Sequence, residues 1–172
     1  MKYSELRDKI KTGDVLAVKG AGFFSSLIRV FTGESYSHVA MFVWDVGGLF
    51  VFEFVEGVGY QSMPASEWLR RRSKQRVLCC IAPETIHENA FEVSIAAKSY
   101  RNAKAAQRSY GWLSLLKVWV SQITSKRFKV RQLVCSTFVQ HCWQAGQVTL
   151  NNTADPGTIV AACHTYYSVE DI

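Results

Sequence analysis

The segment "SYSHVAMFVWDVGGLFVFEFVEG" (35–57) constrains the fold more than any other. Two runs rich in β-branched and aromatic residues flank "DVGG" (45–48), so the stretch reads as a hairpin of two buried strands. Each run is interrupted by a titratable side chain, His38 in the first and Glu53 in the second. A buried imidazole or carboxylate without a partner is costly, so each needs one. With a hairpin loop of even length, Glu53 faces Phe42 or Ala40, on the same sheet face as His38 by the two-residue period of a strand. A loop of odd length would place Glu56 there instead, opposite His38. Glu53 is the expected partner of His38, and Glu56 is its rival.

Further strands are expected at "KTGDVLAVKG" (11–20), "VGYQSM" (58–63) and "RVLCCIA" (76–82). Helices are expected at 23–33, ending at Gly33, in "PASEWLRRR" opened by Pro64, and over 84–107. Residues 110–123 read as a helix or a long loop, 134–146 as a helix ending at Gly146, and 154–163 as the start of a last short helix. Strands cluster early and helices late, so the class is α+β with an antiparallel sheet packed against helices. At 172 residues, without internal repeats, the chain is expected to form one domain over 1–172.

Five cysteines are present, without zinc-type C-x-x-C spacing. Cys79 and Cys80 are adjacent on a strand, so they point to opposite faces and form no easy local bridge. Reduced thiols are the simplest account, and no metal or cofactor is expected.

"RQLVCSTFVQHCW" (131–143) holds two of these cysteines and a histidine. Cys135, Phe138, Val139, Cys142 and Trp143 fall on one helical face. A cysteine on such a stripe is often only core, and Cys142 reads that way. Cys135 differs: it sits at the first turn, where the helix dipole and preceding basic residues favour thiolate. The small pair Ser136–Thr137 beside it reads as an open turn. His141 is rotated about 120° from Cys135 and lies ~9 Å along the axis, beyond direct reach. It reads as solvent-facing. His87 reads as part of an exposed polar helix. His164 follows Cys163 near the end of the sequence and stays open as an alternative base. His38, inside an otherwise apolar strand, is the expected base, oriented by Glu53 as the third member of a triad is.

"GD" (Gly13–Asp14), "YSHVAMFV", "VFEFVEGVGYQSMPASEWL" and "LVCSTFV" occur in that order. Together they resemble the YiiX-like branch of the NlpC-type papain-like cysteine hydrolases, a circularly permuted branch in which the histidine strand precedes the cysteine helix. The resemblance spans about residues 12–160, and "DPG" (155–157) resembles the opening of a terminal helix in such proteins. It implies Cys135 as nucleophile, His38 as general base and Glu53 as orienting residue. Tyr110 or Tyr36 would line the site, and Ser136 would stand beside the oxyanion. The continuation "CST" departs from the acidic "CSE"-like pattern, which bears on substrate class. Relatives acting on lipids resemble lecithin:retinol acyltransferase and carry an "NCEHF"-like motif that "VCSTF" lacks. The implied reaction is amide cleavage through an acyl-enzyme, with cell-wall peptide among the substrates. Lipid ester or amide chemistry on the same fold is the alternative, and a non-catalytic module gripping an anionic polymer or membrane is a second.

The net charge of +6 is concentrated in "RRRSKQR" (70–76) and "KRFKVR" (126–131). Solvated turns account for such runs, but Arg70, Arg71, Arg72, Lys126, Arg127 and Lys129 would also suit an anionic surface. Nucleic acid is not expected, since no stacking or groove-reading motif accompanies the charge. No apolar run approaches the ~18 residues of a membrane span, and "MKYSELRDKIKTGD" has no apolar signal core. A cytoplasmic protein is expected as encoded, with a phage-associated one or export by another route as alternatives.

Overall fold

The computed structural model describes residues 2–19, 36–55, 58–101, 135–150 and 155–169. In chain order the elements are α1 (Tyr3–Arg7), β1 (Val15–Lys19), β2 (His38–Asp45), β3 (Gly48–Val55), β4 (Gly59–Pro64), α2 (Ala65–Arg71) and β5 (Arg76–Ile81). They continue with α3 (Glu84–Glu88), α4 (Ala90–Ser99), α5 (Cys135–Ala145), α6 (Pro156–Ala161) and β6 (Thr165–Ser168). The strands form a six-stranded sheet in the order β4-β3-β2-β1-β5-β6, antiparallel throughout. The expected α+β class with an antiparallel sheet is what the chain forms. The helix expected at 23–33 and the helix or long loop expected at 110–123, with Glu56, Tyr110, Lys126, Arg127 and Lys129, lie outside the described residues.

The apolar runs are nearly continuous because the sheet is covered on both faces. Val15, Ala17, Val39, Met41, Phe52 and Cys80 pack against α4, α5 and α6 through residues such as Ala97, Phe138, Trp143 and Ile159. Their neighbours Leu16, Val18, Ala40, Phe42, Val51 and Cys79 pack against α1 and α2, through Leu6, Trp68 and Leu69. Adjacent residues on a strand point to opposite sides. Cys79 and Cys80 accordingly enter different cores, and all five cysteines are free.

The central hairpin has an even loop, with Val46 and Gly47 at its tip beyond the Asp45↔Gly48 pair. Its register runs from there to Met41↔Phe52, which carried one step further sets Glu53 level with Ala40. Past Met41, β2 stays paired with β1 as far as His38, and β3 stays paired with β4 as far as Val55. The hairpin ladder therefore ends before His38 and Glu53 are reached, leaving that end of the sheet to side chains.

Gly13 and Asp14 form a buried junction. Gly13 has φ +100°, and a Cβ there would lie 2.2 Å from Ile86 Cγ2. Its carbonyl accepts from Trp143 Nε1 at 3.0 Å, tying α5 to the start of β1. Asp14 is fully buried. Its carboxylate accepts from the N–H groups of Lys11 and Ala82 and from His87 Nε2, each at 2.8 Å.

Several local expectations change. The helix expected over 84–107 is broken at Asn89 (φ −106°, ψ 30°), whose side-chain amide donates to the Thr85 carbonyl, competing with the helical backbone. Residues 102–107 of that expectation lie outside the described residues. The cysteine helix ends as expected near Gly146, but the left-handed residue is Gln147, with φ 65°. Gly146 is required for closeness instead, since a Cβ there would meet Val93 Cγ2 at 2.7 Å and Ile86 Cδ1 at 2.9 Å. α1 and β6, of five and four residues, were not anticipated, being too short to show a period.

Candidate active site

His38 is the first residue of β2, at the point where the hairpin strands separate. Its Nε2 lies 2.7 Å from Glu53 Oε2. Glu53 is only 1% exposed, whereas the His38 side chain is 21% exposed. Burial pushes the Glu53 carboxyl up, but the hydrogen bond and charge of His38, the charge of Arg72 and the indole of Trp68 outweigh it and hold the group below its ordinary range. An ionised Glu53 can only accept, so Nε2–H of His38 is the donor, and Nδ1 is the ring nitrogen left for another partner.

Cys135, the first residue of α5, is half-buried and close enough to the imidazole for each to act on the other's charge. Burial opposes charge on His38, but the adjacent Cys135 and Glu53 overcome it and raise the imidazole from its ordinary 6.5 to about 9. Burial likewise pushes the Cys135 thiol up. The charge and hydrogen bond of His38, with the backbone N–H groups of Val39 and Ser136, outweigh that and hold the thiol below its ordinary value. The two shifts describe one event: each group favours the charged form of the other, a proton on His38 and a thiolate at Cys135. Cys142 behaves oppositely, with burial alone pushing its thiol far up.

Glu53 has a second cation. Arg72, at the end of α2, places Nη2 at 3.1 Å from Oε1 and 3.0 Å from Oε2 of Glu53. Its Cζ lies 3.9 Å from the ring centroid of Trp68, itself fully buried. Trp68 Nε1 helps hold Glu53 ionised while falling outside ordinary hydrogen-bond geometry. Cys135 comes from the helix layer on one side of the sheet, and Trp68 and Arg72 from the other. His38, at the sheet's end, meets Cys135 on one side and, on the other, the Glu53 that Arg72 holds.

The structure thus brings Cys135, His38 and Glu53 together. Ser136 is buried at 2% exposure, not part of the open turn expected there, and offers the site its backbone N–H. Tyr36 is half-buried, with Lys19 Nζ 5.8 Å from its ring centroid and Cys80 and Tyr166 bearing on it from β5 and β6. His141 is exposed, as expected, and its Nδ1 lies 2.7 Å from the Tyr100 hydroxyl. His164 is exposed. His87 overturns the expectation of an exposed polar helix: its side chain is 5% exposed and held by Asp14 and Glu84.

The sequence reading missed the roles of Arg72 and Trp68. Their four-residue spacing on a helix was the available signal. The run of three arginines concealed it, because Arg70 and Arg71 are exposed while Arg72 turns inward.

Neither a family model nor a curated protein matches the chain. A solved structure does: the metalloprotein YiiX of Escherichia coli O157:H7, DUF1105, matches at probability 1.00 with a TM-score of 0.56 and 20% sequence identity. The match covers 79% of this chain and 66% of that one. At this identity the likeness concerns the fold: the chain adopts a YiiX-like fold.

Proposed function

We propose that the protein is a cysteine hydrolase that cleaves amide bonds on a circularly permuted papain-like scaffold of the NlpC type. The observation that carries the proposal is Cys135 at the start of α5, lowered in pKa by a His38 whose far nitrogen is bound to the buried Glu53. The Cys135 thiolate attacks the substrate carbonyl, and the developing oxyanion is held by N–H groups of the first turn of α5. His38 passes its proton to the leaving amine as the C–N bond breaks, giving a thioester. Water then gives a proton to His38 and attacks the thioester, and the acid leaves with the thiolate restored.

Peptide amides, cell-wall cross-links included, are the favoured substrates, with lipid esters or amides as the alternative. An anionic polymer or membrane would meet the exposed Arg70 and Arg71 of α2. No helix among the described residues is long and apolar enough to cross a membrane. The YiiX structure is named as a metalloprotein. Among the described residues of this chain, no group of three or more His, Cys, Asp or Glu side chains is placed to hold a metal ion. Both oxygens of Glu53 are already occupied by Arg72. The described donor set therefore does not fit a metal ion.

The test is competitive alkylation with iodoacetamide, read by mass spectrometry at each of the five cysteines. Cys135 should react far faster than Cys79, Cys80, Cys142 and Cys163, and should remain fast below pH 7. Uniform slow labelling that rises only near pH 8–9 would overturn the hydrolase reading.

A further inference from the structure

We propose that Arg72 is a positioning residue of this site, fixing Glu53 as an oriented, ionised acceptor so that His38 stays aligned and charged against Cys135. The inference rests on the hydrolytic reading above. Its basis is a chain of contacts on the α2 side of the sheet. One guanidinium nitrogen reaches both oxygens of Glu53, at 3.1 and 3.0 Å. The guanidinium in turn sits 3.9 Å over Trp68, which packing holds in place at 0% exposure. Arg72 thus has little freedom to move, and Glu53 inherits that constraint.

The charge on Arg72 also counts. At 1% exposure, Glu53 pays a large desolvation penalty when ionised, and two cations offset it: His38 from β2 and Arg72 from the end of α2. His38 is itself the group whose charge must be sustained, so it cannot be the only support. If Arg72 is removed, less opposes the burial that pushes the Glu53 carboxyl up, and its neutral form is favoured. A neutral Glu53 no longer attracts the imidazolium, and the thiolate–imidazolium pair with Cys135 weakens. Among the described residues, the charged neighbours are Cys135 and Glu53 around His38, and Glu53 and Arg71 around Arg72. Arg71 pairs with Glu67.

The experiment follows alkylation of Cys135 by iodoacetamide from pH 4 to 9 in the wild type and in Arg72→Met and Arg72→Lys. Methionine keeps an apolar stem over Trp68 and removes the charge, so it separates packing from electrostatics. The acid limb in Arg72→Met should move up by about one pH unit or more. Arg72→Lys should move it by less, since an ammonium keeps the charge but loses the planar contact. In a Glu53→Gln background, Arg72→Met should produce no additional shift. An Arg72→Met profile that overlays a wild type with fast Cys135 overturns the proposal and leaves the hydrolase reading standing. An equal additional shift in the Glu53→Gln background overturns it too. A wild type without a fast cysteine overturns the hydrolase reading itself. Should Arg72→Met fail to fold, Arg72→Lys decides: an upward shift supports the proposal and an unmoved limb overturns it.

Discussion

His38 carries two jobs whose pH requirements differ, and the difference can be measured. As the counter-charge to Cys135 it is needed to keep the thiolate at low pH. As general acid it must hold a proton to give to the leaving amine, which it stops doing above its value of about 9. The kcat/KM for amide hydrolysis should therefore fall above about pH 9, while alkylation of Cys135, which needs only the thiolate, should not fall. If both rates decline together, His38 is not the acid. Glu53→Gln removes one of the two anions that raise His38, so the alkaline limb of hydrolysis should move down, toward the ordinary 6.5 of an imidazole. An alkaline limb that stays in place would show that Glu53 does not act on His38. These contacts were legible in the sequence because a lone carboxylate or imidazole in an apolar strand demands a partner. Arg72 was not legible: successive helical residues differ by about 100° in direction, and nothing local says which of three arginines turns inward.

Among the elements, β1, α3 and α5 meet at Ile86, which packs between two glycines. Gly13→Ala would place a side chain at φ +100° and 2.2 Å from Ile86 Cγ2, so it should cost about 3 kcal/mol or more in stability by urea unfolding. Gly146→Ala meets side chains rather than an unfavourable backbone, at 2.7 and 2.9 Å, and should cost about 1–3 kcal/mol. If Gly146→Ala proved the more damaging, the backbone reading of Gly13 would be wrong. The same junction holds His87, raised above 6.5 chiefly by its hydrogen bond to Asp14. A raised imidazole contributes stability fully below its unfolded value and loses it as pH rises through the folded one. The stability gap between wild type and His87→Asn should thus be wide at pH 5.5 and shrink on going alkaline. A constant gap would mean that the contact is not charge-dependent. The "GD" motif was visible in the sequence as a strand start. Its role as a junction was not, because its partners Ala82, His87 and Trp143 are distant along the chain.

Across the whole molecule the sheet divides two cores, and the site needs both. Cys135 comes from one, the Trp68–Arg72 support from the other, and His38 and Glu53 join them at the sheet's end. Hairpin, turn and α+β class could be read locally because period-two patterning and turn chemistry are short-range. The covering of both faces could be suspected only from the absence of polar alternation in β2 and β3. If the two cores melted separately, the site would fail with whichever was weaker. Adjacent cysteines report on this: Cys79 is buried against α1 and α2, and Cys80 against the α4–α6 side. Two cores on one sheet are expected to unfold cooperatively, since both depend on the backbone hydrogen bonds of the same central strands. In pulsed alkylation across a urea series, Cys79 and Cys80 should become reactive with the same midpoint. Selective fast labelling of Cys135 should vanish at that midpoint as well. Exposure of Cys79 at clearly lower urea than Cys80 would mean that the α1–α2 layer opens on its own. Arg72 would then be released from Glu53 before the cysteine helix unfolds, and Cys135 would lose its low-pH reactivity while its helix is still folded.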